Sequence, residues 1–308
     1  MPDYGHDLLF GAFVTPAAQP PSHAVDIAIA ADKAGLDLVT FQDHPYQPSF
    51  LDTWTLLSYV ASRTERIHVA GNVLNLPLRP PAVLARAAAS LDILSGGRVA
   101  LGLGAGGFQD AIAAMGGRRL SPGESVAALD EAIAVIRAIW DTGERGGVRV
   151  EGEHYRVVGA KRGPTPAHDI PIWVGAYKPR MLELVGRAAD GSVPSLGYLP
   201  GGVADLAPMN ERIDDAAIAA GRDPRAIRRL LNISGQFAAA PGGLLEGPPE
   251  QWAEDLAGMA LEYGVSGFLL AADDAATIDL FARAVAPATR ALVASARSGS
   301  GPLVAGRP

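Results

Sequence analysis

A histidine with an acidic neighbour, His44 directly after Asp43, is the part of the sequence best suited to proton transfer. Histidine changes its protonation near neutral pH, so His44 could donate a proton or a strong hydrogen bond to a developing anion. Asp43 could fix the tautomer of the imidazole, or it could simply cap the turn. His44 could also be a loop histidine that bonds only to backbone groups. We predict a catalytic role because His44 follows a predicted strand.

Three aromatic residues follow this histidine at short intervals, namely Tyr46, Phe50 and Trp54. Aromatic side chains commonly line pockets for small organic molecules. We therefore predict that these three residues form the wall of an apolar substrate pocket. Phe50 and Trp54 could instead be core residues of the helix that comes next.

A glycine-rich segment matches the spacing G-x-G-x-x-G at Gly102, Gly104 and Gly107. This spacing is known from dinucleotide-binding folds. Here it follows the fourth predicted strand instead of the first, a loop separates it from the next capped helix, and no acidic residue ends a second strand about twenty positions later. We interpret the segment 102–107 as a tight turn that needs positive φ, as a glycine floor that lets a flat ring approach the backbone, or as both.

Two further segments could hold a ligand. One joins a predicted strand to a helix that begins with Pro179. Free amides at a helix start bind phosphate, Gly175 would permit a close approach, and Lys178 adds a full charge. An ordinary loop with a solvated lysine explains the same residues. In the second segment, Asn72 and Asn75 offer amides that could face the middle of a planar heterocycle.

Composition excludes several other chemistries. The chain of 308 residues has no cysteine, which excludes disulfides, thiolate nucleophiles, zinc ribbons and iron–sulfur clusters, so any redox chemistry needs a bound cofactor. The six histidines are scattered, which argues against a metal site. A formal charge of −7 without a basic stripe argues against nucleic acid. Because neither a leader segment nor an apolar run long enough for a bilayer is present, we expect a soluble, cytoplasmic protein.

Short apolar runs alternate with longer Ala-rich helical stretches along the whole chain, which indicates repeated β–α units. The predicted strands span 8–14, 38–41, 67–71, 98–103, 172–175, 192–195, 227–234 and 265–271. The predicted helices span 22–35, 52–62, 80–94, 121–140, 179–189, 204–220, 248–263 and 275–296. Ser22 and Ser121 are the expected N-caps, and Glu124 completes a capping box with Ser121.

Eight such units in a chain of this length predict a closed (β/α)8 TIM barrel of α/β class. We expect one barrel domain over 1–297, an insertion after helix four at 141–170 that forms a hairpin or a loose excursion, and a flexible tail at 298–308. In a barrel of this kind the active site lies on the loops that follow the strands. The segments singled out above all fall on those loops.

Several of these segments, in this order, resemble the bacterial luciferase-like monooxygenase superfamily. The resemblance rests on FQDH at 41–44, GNVL at 71–74, RPPA at 79–82, LSGGRVALGLGAG at 94–106, GAYKPRML at 175–182 and ADG at 189–191. It covers nearly the whole chain, and members of the superfamily use reduced FMN or the deazaflavin coenzyme F420. The resemblance therefore implies FMN or F420 as the cofactor, and a homodimer.

The resemblance also implies where the cofactor lies. The ring would stack at the barrel mouth against the end of the third strand, where relatives have a non-proline cis peptide, here Asn72–Val73. His44 would face the reactive part of the ring, and the amides of Ala176, Tyr177 and Lys178 would hold the phosphate. The predicted cofactor-binding residues are Asp43, Asn72, Val73, Gly104, Ala105, Gly106, Gly175, Ala176, Tyr177 and Lys178.

The sequence departs from some sugar dehydrogenases of the superfamily, which have a glutamate after the fourth-strand glycines and a tryptophan shortly after the histidine. Gly107 and Tyr46 take those places here, which disfavours a sugar-phosphate substrate. We predict an oxidoreductase that transfers hydride or oxygen between a reduced flavin or deazaflavin and a small organic substrate. The alternatives are a hydrolase on the same barrel, with or without a metal, and a non-catalytic flavin-binding protein.

Overall fold

Eight parallel strands form the centre of the computed structural model, which describes residues 3–299. Each strand is followed by helical structure, so the predicted (β/α)8 barrel is confirmed. The barrel strands are β1 (Leu9–Val14), β2 (Leu38–Phe41), β3 (His68–Gly71), β4 (Val99–Gly104), β5 (Ile172–Val174), β6 (Gly191–Ser192), β7 (Arg228–Ile233) and β8 (Gly267–Ala271).

Strand pairing closes the sheet into a ring. The hydrogen-bonded order is β3-β2-β1-β8-β7-β6-β5-β4, and a further pairing of β3 with β4 joins the two ends. In register, Val14 lies opposite Phe41, and Phe41 lies opposite Gly71. The carboxyl ends of neighbouring strands therefore meet at one end of the barrel, where the predicted site residues are found.

The helices form the outer layer of the barrel. They are α1 (His23–Ala34), α2 (Thr53–Arg63), α3 (Pro81–Ser95), α4 (Pro122–Trp140), α5 (Pro179–Ala188), α6 (Leu206–Ala219), α7 (Pro249–Tyr263) and a composite α8 made of Ala275–Leu280, a π-helical turn at Phe281–Val285, and Ala286–Arg297. Within residues 3–299, no helix combines the length and the apolar character needed to cross a membrane.

Two predicted helix starts have different outcomes. The capping box at α4 is confirmed, because the Ser121 hydroxyl accepts from the Glu124 N–H and the Glu124 side chain accepts from the Ser121 N–H. Ser22 takes the predicted N-cap position of α1, but its side chain makes no capping bond. The chain already turns at Pro20, whose carbonyl accepts from the His23 N–H, and this puts Ser22 in helical conformation instead of the extended one that a cap needs.

The insertion after α4 contains a β-hairpin, Val148–Glu151 against Arg156–Ala160, and is therefore not a loose excursion. Glu131 of α4 fixes its turn, because the carboxylate accepts from three successive N–H groups, those of Glu153, His154 and Tyr155. Of the tail predicted at 298–308, residues 300–308 lie outside the described residues.

Three short elements differ from the sequence prediction. A helix at Gln109–Ala114 occupies the segment predicted as a loop after β4. A two-residue strand at Leu74–Asn75 extends the β3 end and pairs with β4. Strand β6 ends at Ser192 instead of 195, since Pro194 has no N–H to continue the ladder. Only an isolated bridge between Ser195 and Asn232 follows it.

Candidate active site

A cavity of about 890 Å³ opens at the carboxyl ends of the barrel strands, which is the end predicted to carry the site. Its lining includes residues from the loops after all eight strands. The lining residues discussed below are Asp43, His44, Tyr46, Asn72, Val73, Asn75, Gly104, Ala105, Gly106, Gly107, Phe108, Gly175, Tyr177, Ser195, Asn232 and Asp273. The structure therefore brings most of the predicted site residues to one cavity.

The His44 imidazole lies in an aromatic environment. Tyr46 stacks on it with ring centroids 5.4 Å apart, and Phe50 stacks at 6.4 Å. Phe108 meets the imidazole edge-on at 5.5 Å. Burial lowers the pKa of His44, because an apolar environment disfavours the charged ring, and the nearby Asp43 carboxylate opposes this shift. The neutral form is favoured, in which one ring nitrogen can accept a proton.

Asp43 does not fix the tautomer of His44. Its carboxylate is almost fully buried and makes a two-pronged ion pair with Arg79, with Arg79 Nε at 2.7 Å and Nη2 at 2.8 Å. It also accepts from the Asn75 N–H at 2.8 Å. Arg79 reaches Asp52 at the start of α2 as well, at 2.8 Å. Asp43 therefore ties the loop that carries His44 to the segment after β3 and to α2.

Arg79 is a positioning residue that sequence reasoning did not find. Burial works against its charge, but hydrogen bonds to Asp43 and Asp52 and the charges of both carboxylates raise the pKa of the guanidinium. Partial burial works against the charge of Asp52 as well, but hydrogen bonds from the Thr55 N–H and from Arg79, with the Arg79 charge, lower the pKa of this carboxyl. The only sequence signal was the position of Arg79 in the segment 79–82, and nothing in that segment identifies a partner 36 positions earlier.

Val73 forms an apolar floor inside the cavity. The Asn72–Val73 bond is cis, as the resemblance implied. A Cβ atom on Gly104 would lie 2.6 Å from Val73 Cγ2, and one on Gly175 would lie 3.2 Å from the same atom. These two glycines therefore make room for the Val73 side chain, and not for a ring directly above the strand. The Val73 isopropyl group forms the floor that was predicted for the glycine backbone.

The turn after β4 shows both features predicted for the glycine segment, a positive φ and an open backbone, but at different residues. Gly106 has a φ of 84°, so the tight-turn interpretation holds at this position. Gly107 borders open space, because no atom lies within 4 Å of the position of a Cβ there. Ala105 lies between the turn and the strand and lines the cavity. The backbone at Gly107 is therefore open to a ligand, whereas Gly106 packs against Ile112 and Pro77.

A buried network of amides and hydroxyls lies below the mouth of the cavity. The Asn72 side-chain N–H group donates to Asn232 Oδ1 at 2.6 Å and to Thr40 Oγ1 at 3.2 Å. Asn232 in turn donates to Asn72 Oδ1 and to Ser195 Oγ at 3.1 Å. Sequence reasoning missed Asn232 and Ser195. A polar residue within the apolar run of β7 was the available signal, but its partner lies 160 positions away.

The loop between β5 and α5 has three successive N–H groups, those of Ala176, Tyr177 and Lys178, that donate to no acceptor within residues 3–299. Ala176 is fully buried, and a buried N–H without a partner is unusual. The Tyr177 hydroxyl accepts from the Ser195 N–H at 2.8 Å, which fixes the ring at the cavity wall. The Lys178 side chain is exposed and lies outside the cavity lining.

Two of the three aromatic residues predicted for the substrate pocket do not line the cavity. Phe50 contacts His44 by stacking, but it is not part of the lining. Trp54 packs against the hydrophobic core, because Asp52 caps α2 and places Trp54 in the first helical turn. Tyr46 does line the cavity, and Phe108, which was not predicted, lies 5.8 Å from it between ring centroids.

No group of three or more His, Cys, Asp or Glu side chains within residues 3–299 has the arrangement of a metal site. The titratable groups at the mouth are instead a neutral imidazole and paired or exposed carboxylates. A barrel with one apolar cavity, a half-buried imidazole and unpaired backbone donors at a helix start defines the site of an enzyme that binds an organic cofactor.

Comparison with known proteins identifies the family. The family model for luciferase-like monooxygenases matches residues 6–241, so the chain belongs to the luciferase-like monooxygenase family of oxidoreductases. An F420-dependent glucose-6-phosphate dehydrogenase of Nocardia farcinica is 34% identical over 236 residues, which are 73% of this chain and 68% of that protein. The resemblance inferred from the motifs is confirmed.

Two solved structures support the fold. An F420-dependent secondary alcohol dehydrogenase, in complex with an F420-acetone adduct, superposes with a TM-score of 0.79 at 19% identity, over 92% of this chain and 99% of its own. A monooxygenase from Streptomyces bottropensis superposes with a TM-score of 0.77 at 21% identity, over 91% of this chain and 99% of its own.

Proposed function

We propose that the protein is an F420-dependent oxidoreductase that moves a hydride between the deazaflavin and a small organic substrate. The observation that carries this proposal is the cavity at the barrel mouth, in which Val73 forms an apolar floor beside His44. Coenzyme F420 is preferred over FMN because the relatives at 31–34% identity are named as F420-dependent enzymes. FMN with oxygen insertion stays the second possibility.

The residues at the mouth fit a flat ring with a phosphate-bearing tail. The cavity volume of about 890 Å³ lies within the range of cofactor pockets. Gly107, whose backbone borders open space, lines the same cavity as Val73. The partnerless N–H groups of Ala176 and its neighbours, one of them fully buried, are the donors that a phosphate oxygen would accept from.

When bound, the deazaflavin ring would supply the site that gives or takes a hydride. The neutral His44 imidazole would accept the hydroxyl proton of an alcohol that is being oxidised, and it would return a proton in the reverse direction. Arg79 and Asp43 would hold the loop that carries His44. Val73 would support the ring, and Tyr46 and Phe108 would exclude water from the reacting atoms.

Titration of the purified protein with F420 and with FMN tests the cofactor. We expect F420 to bind, seen as a change in deazaflavin fluorescence, and to bind more tightly than FMN. Stopped-flow oxidation of the bound reduced cofactor, with and without candidate substrates, separates an enzyme from a flavin-binding protein. A correctly folded protein that binds neither coenzyme would contradict the proposal, and would revive the hydrolase alternative.

The finer predictions of a homodimer and a cytoplasmic location stay predictions, as do the domain limits at 1–297 and 298–308. Light scattering coupled to size-exclusion chromatography tests the dimer. Fractionation of the source cells tests the location.

A further inference from the structure

We propose that the substrate is an uncharged, ring-bearing alcohol or the corresponding ketone, and that Tyr46 and Phe108 select it at the face of the cavity beside His44. This inference rests on the proposed oxidoreductase function and adds the substrate class. It differs from what the names of the curated relatives state, since those proteins act on a phosphorylated sugar.

The charges around the cavity disfavour an anionic substrate. Among the described residues, no lysine or arginine lines the cavity, whereas Asp43 and Asp273 do. Arg79 is outside the lining, and its charge is paired with the Asp43 and Asp52 carboxylates. Asp273 is exposed, and its side chain accepts from the Thr15 N–H. A phosphate monoester would enter without a cation to pair with, and an unpaired buried charge is strongly unfavourable.

Aromatic faces are what the cavity offers a substrate instead. The Tyr46 and Phe108 rings lie 5.8 Å apart at an interplanar angle of 58°, and both lie within 5.5 Å of the His44 ring between centroids. The Phe108 side chain is 58% exposed although it borders the cavity, so its free face is available to a ligand. A ring-bearing molecule would cover this apolar area and gain from stacking, whereas a small aliphatic alcohol would leave most of it in water.

The phosphate of a bound cofactor is also an anion, but the N–H groups predicted to bind it lie away from the aromatic face beside His44. These donors are the N–H groups of the loop after β5. His44 and Tyr46 lie on the loop after β2, and two strands of the ring separate β2 from β5. Lys178 is beside those N–H groups but outside the cavity lining. These donors, and Lys178 beside them, therefore lie on a different side of the barrel mouth from the loop that carries His44.

Four probe molecules separate charge from apolar character: benzyl alcohol, benzyl phosphate, glucose and glucose 6-phosphate. Binding to the F420-loaded protein is measured by saturation-transfer NMR and calorimetry, and turnover is followed by deazaflavin absorbance. We expect benzyl alcohol to bind at least about tenfold more tightly than each of the other three. Equal or tighter binding of benzyl phosphate or glucose 6-phosphate overturns the inference, and so does tighter binding of glucose.

Phe108→Ala tests the residues that select the substrate. We expect it to weaken benzyl alcohol binding by about five- to tenfold, because it removes apolar contact area, and to leave F420 affinity unchanged. Tyr59→Ala is the matched control, since Tyr59 is a similarly exposed aromatic residue on α2 outside the cavity, and it should change neither affinity. An unchanged affinity of the Phe108 variant for benzyl alcohol overturns the assignment.

F420 titration distinguishes a failure of the proposed function from a failure of the proposed substrate class. If F420 and FMN both fail to bind, the proposed function fails, and the same four probes are then measured on the protein alone. If F420 binds and the phosphorylated probes are preferred, only the substrate class fails.

Discussion

The protonation of His44 makes the clearest prediction at the scale of single residues. Its pKa is lowered from 6.5 by burial, so the neutral imidazole dominates at neutral pH and can act as a base. We expect kcat/KM for alcohol oxidation to be constant above the lowered pKa and to fall as the pH drops through it. His44→Gln, which cannot titrate, should lose on the order of a hundredfold at neutral pH and show a flat profile. The same inflection in the variant would assign the titration to another group.

The Asp43–Arg79 pair makes a second prediction at this scale, concerning stability. Arg79→Ala leaves the Asp43 carboxylate, 1% exposed, without its cation, so we expect the free energy of unfolding to fall by about 3–5 kcal/mol. Arg283→Ala is the control, because the Arg283–Asp279 pair is exposed and should contribute at most about 1 kcal/mol. Denaturant unfolding measures both. Equal losses in the two variants would show that the buried pair has no special role.

These residues also show how far a site can be predicted from sequence. His44, Asn72 and Tyr46 were found because each follows a strand and has a side chain with recognisable chemistry. Asn232 and Arg79 were not, because their importance comes from partners 160 and 36 positions away that only the closed barrel brings into contact. Residue type and local position predict the groups at the mouth, but not the buried pairs that hold them in place.

At the scale of elements, the glycines of β4 have testable roles. Gly104→Ala places a Cβ 2.6 Å from Val73 Cγ2, and Val73 is β-branched and stiff, so its side chain must move. We expect F420 affinity to fall by at least about tenfold and stability to fall by about 1–3 kcal/mol. Gly258→Ala on α7 is the control, since a Cβ there meets no atom within 4 Å and Gly258 lies outside the cavity lining. Fluorescence titration and thermal unfolding give the two readouts, and similar losses in both variants would contradict the role of Gly104.

The elements themselves were predicted where the sequence carries strong local signals. The helices that start after a capping box or end at a left-handed glycine, such as Ser121 at α4 and Gly35 at α1, were placed within a residue or two. Errors arose where two local signals compete: Pro20 overrides the capping tendency of Ser22, and Pro194 ends β6 early. The short helix at Gln109–Ala114 was missed because its start has no side-chain capping bond that a sequence pattern could indicate.

At the scale of the whole molecule, the barrel closes where β8 pairs with β1, and the chain ends reinforce this closure. Asp3 pairs with Arg297 at 2.7 Å, so the segment before β1 is tied to the last helix. Tyr4 donates to Asp214 at 2.8 Å, and its ring lies under the buried Arg229 guanidinium at 4.6 Å. The repeated β–α pattern predicted the barrel, but not these contacts, which join residues between 210 and 294 positions apart.

The Tyr4 contact makes the stability of the folded barrel dependent on pH. Burial raises the pKa of Tyr4 to about 12, whereas the unfolded chain titrates near 10.0. Both states are protonated below pH 10, so the contribution is complete there, and it is lost as the pH rises from 10 toward 12 because only the unfolded state readily releases the proton. Denaturant unfolding over this range should show a steeper loss of stability for the parent than for Tyr4→Phe. Tyr59→Phe, at a half-exposed tyrosine, should keep the parental slope. If stability falls with pH equally steeply in the parent and in Tyr4→Phe, the Tyr4 hydroxyl has the same pKa in the folded and the unfolded protein. The contact of the amino-terminal segment would then not link the stability of the closed barrel to this proton.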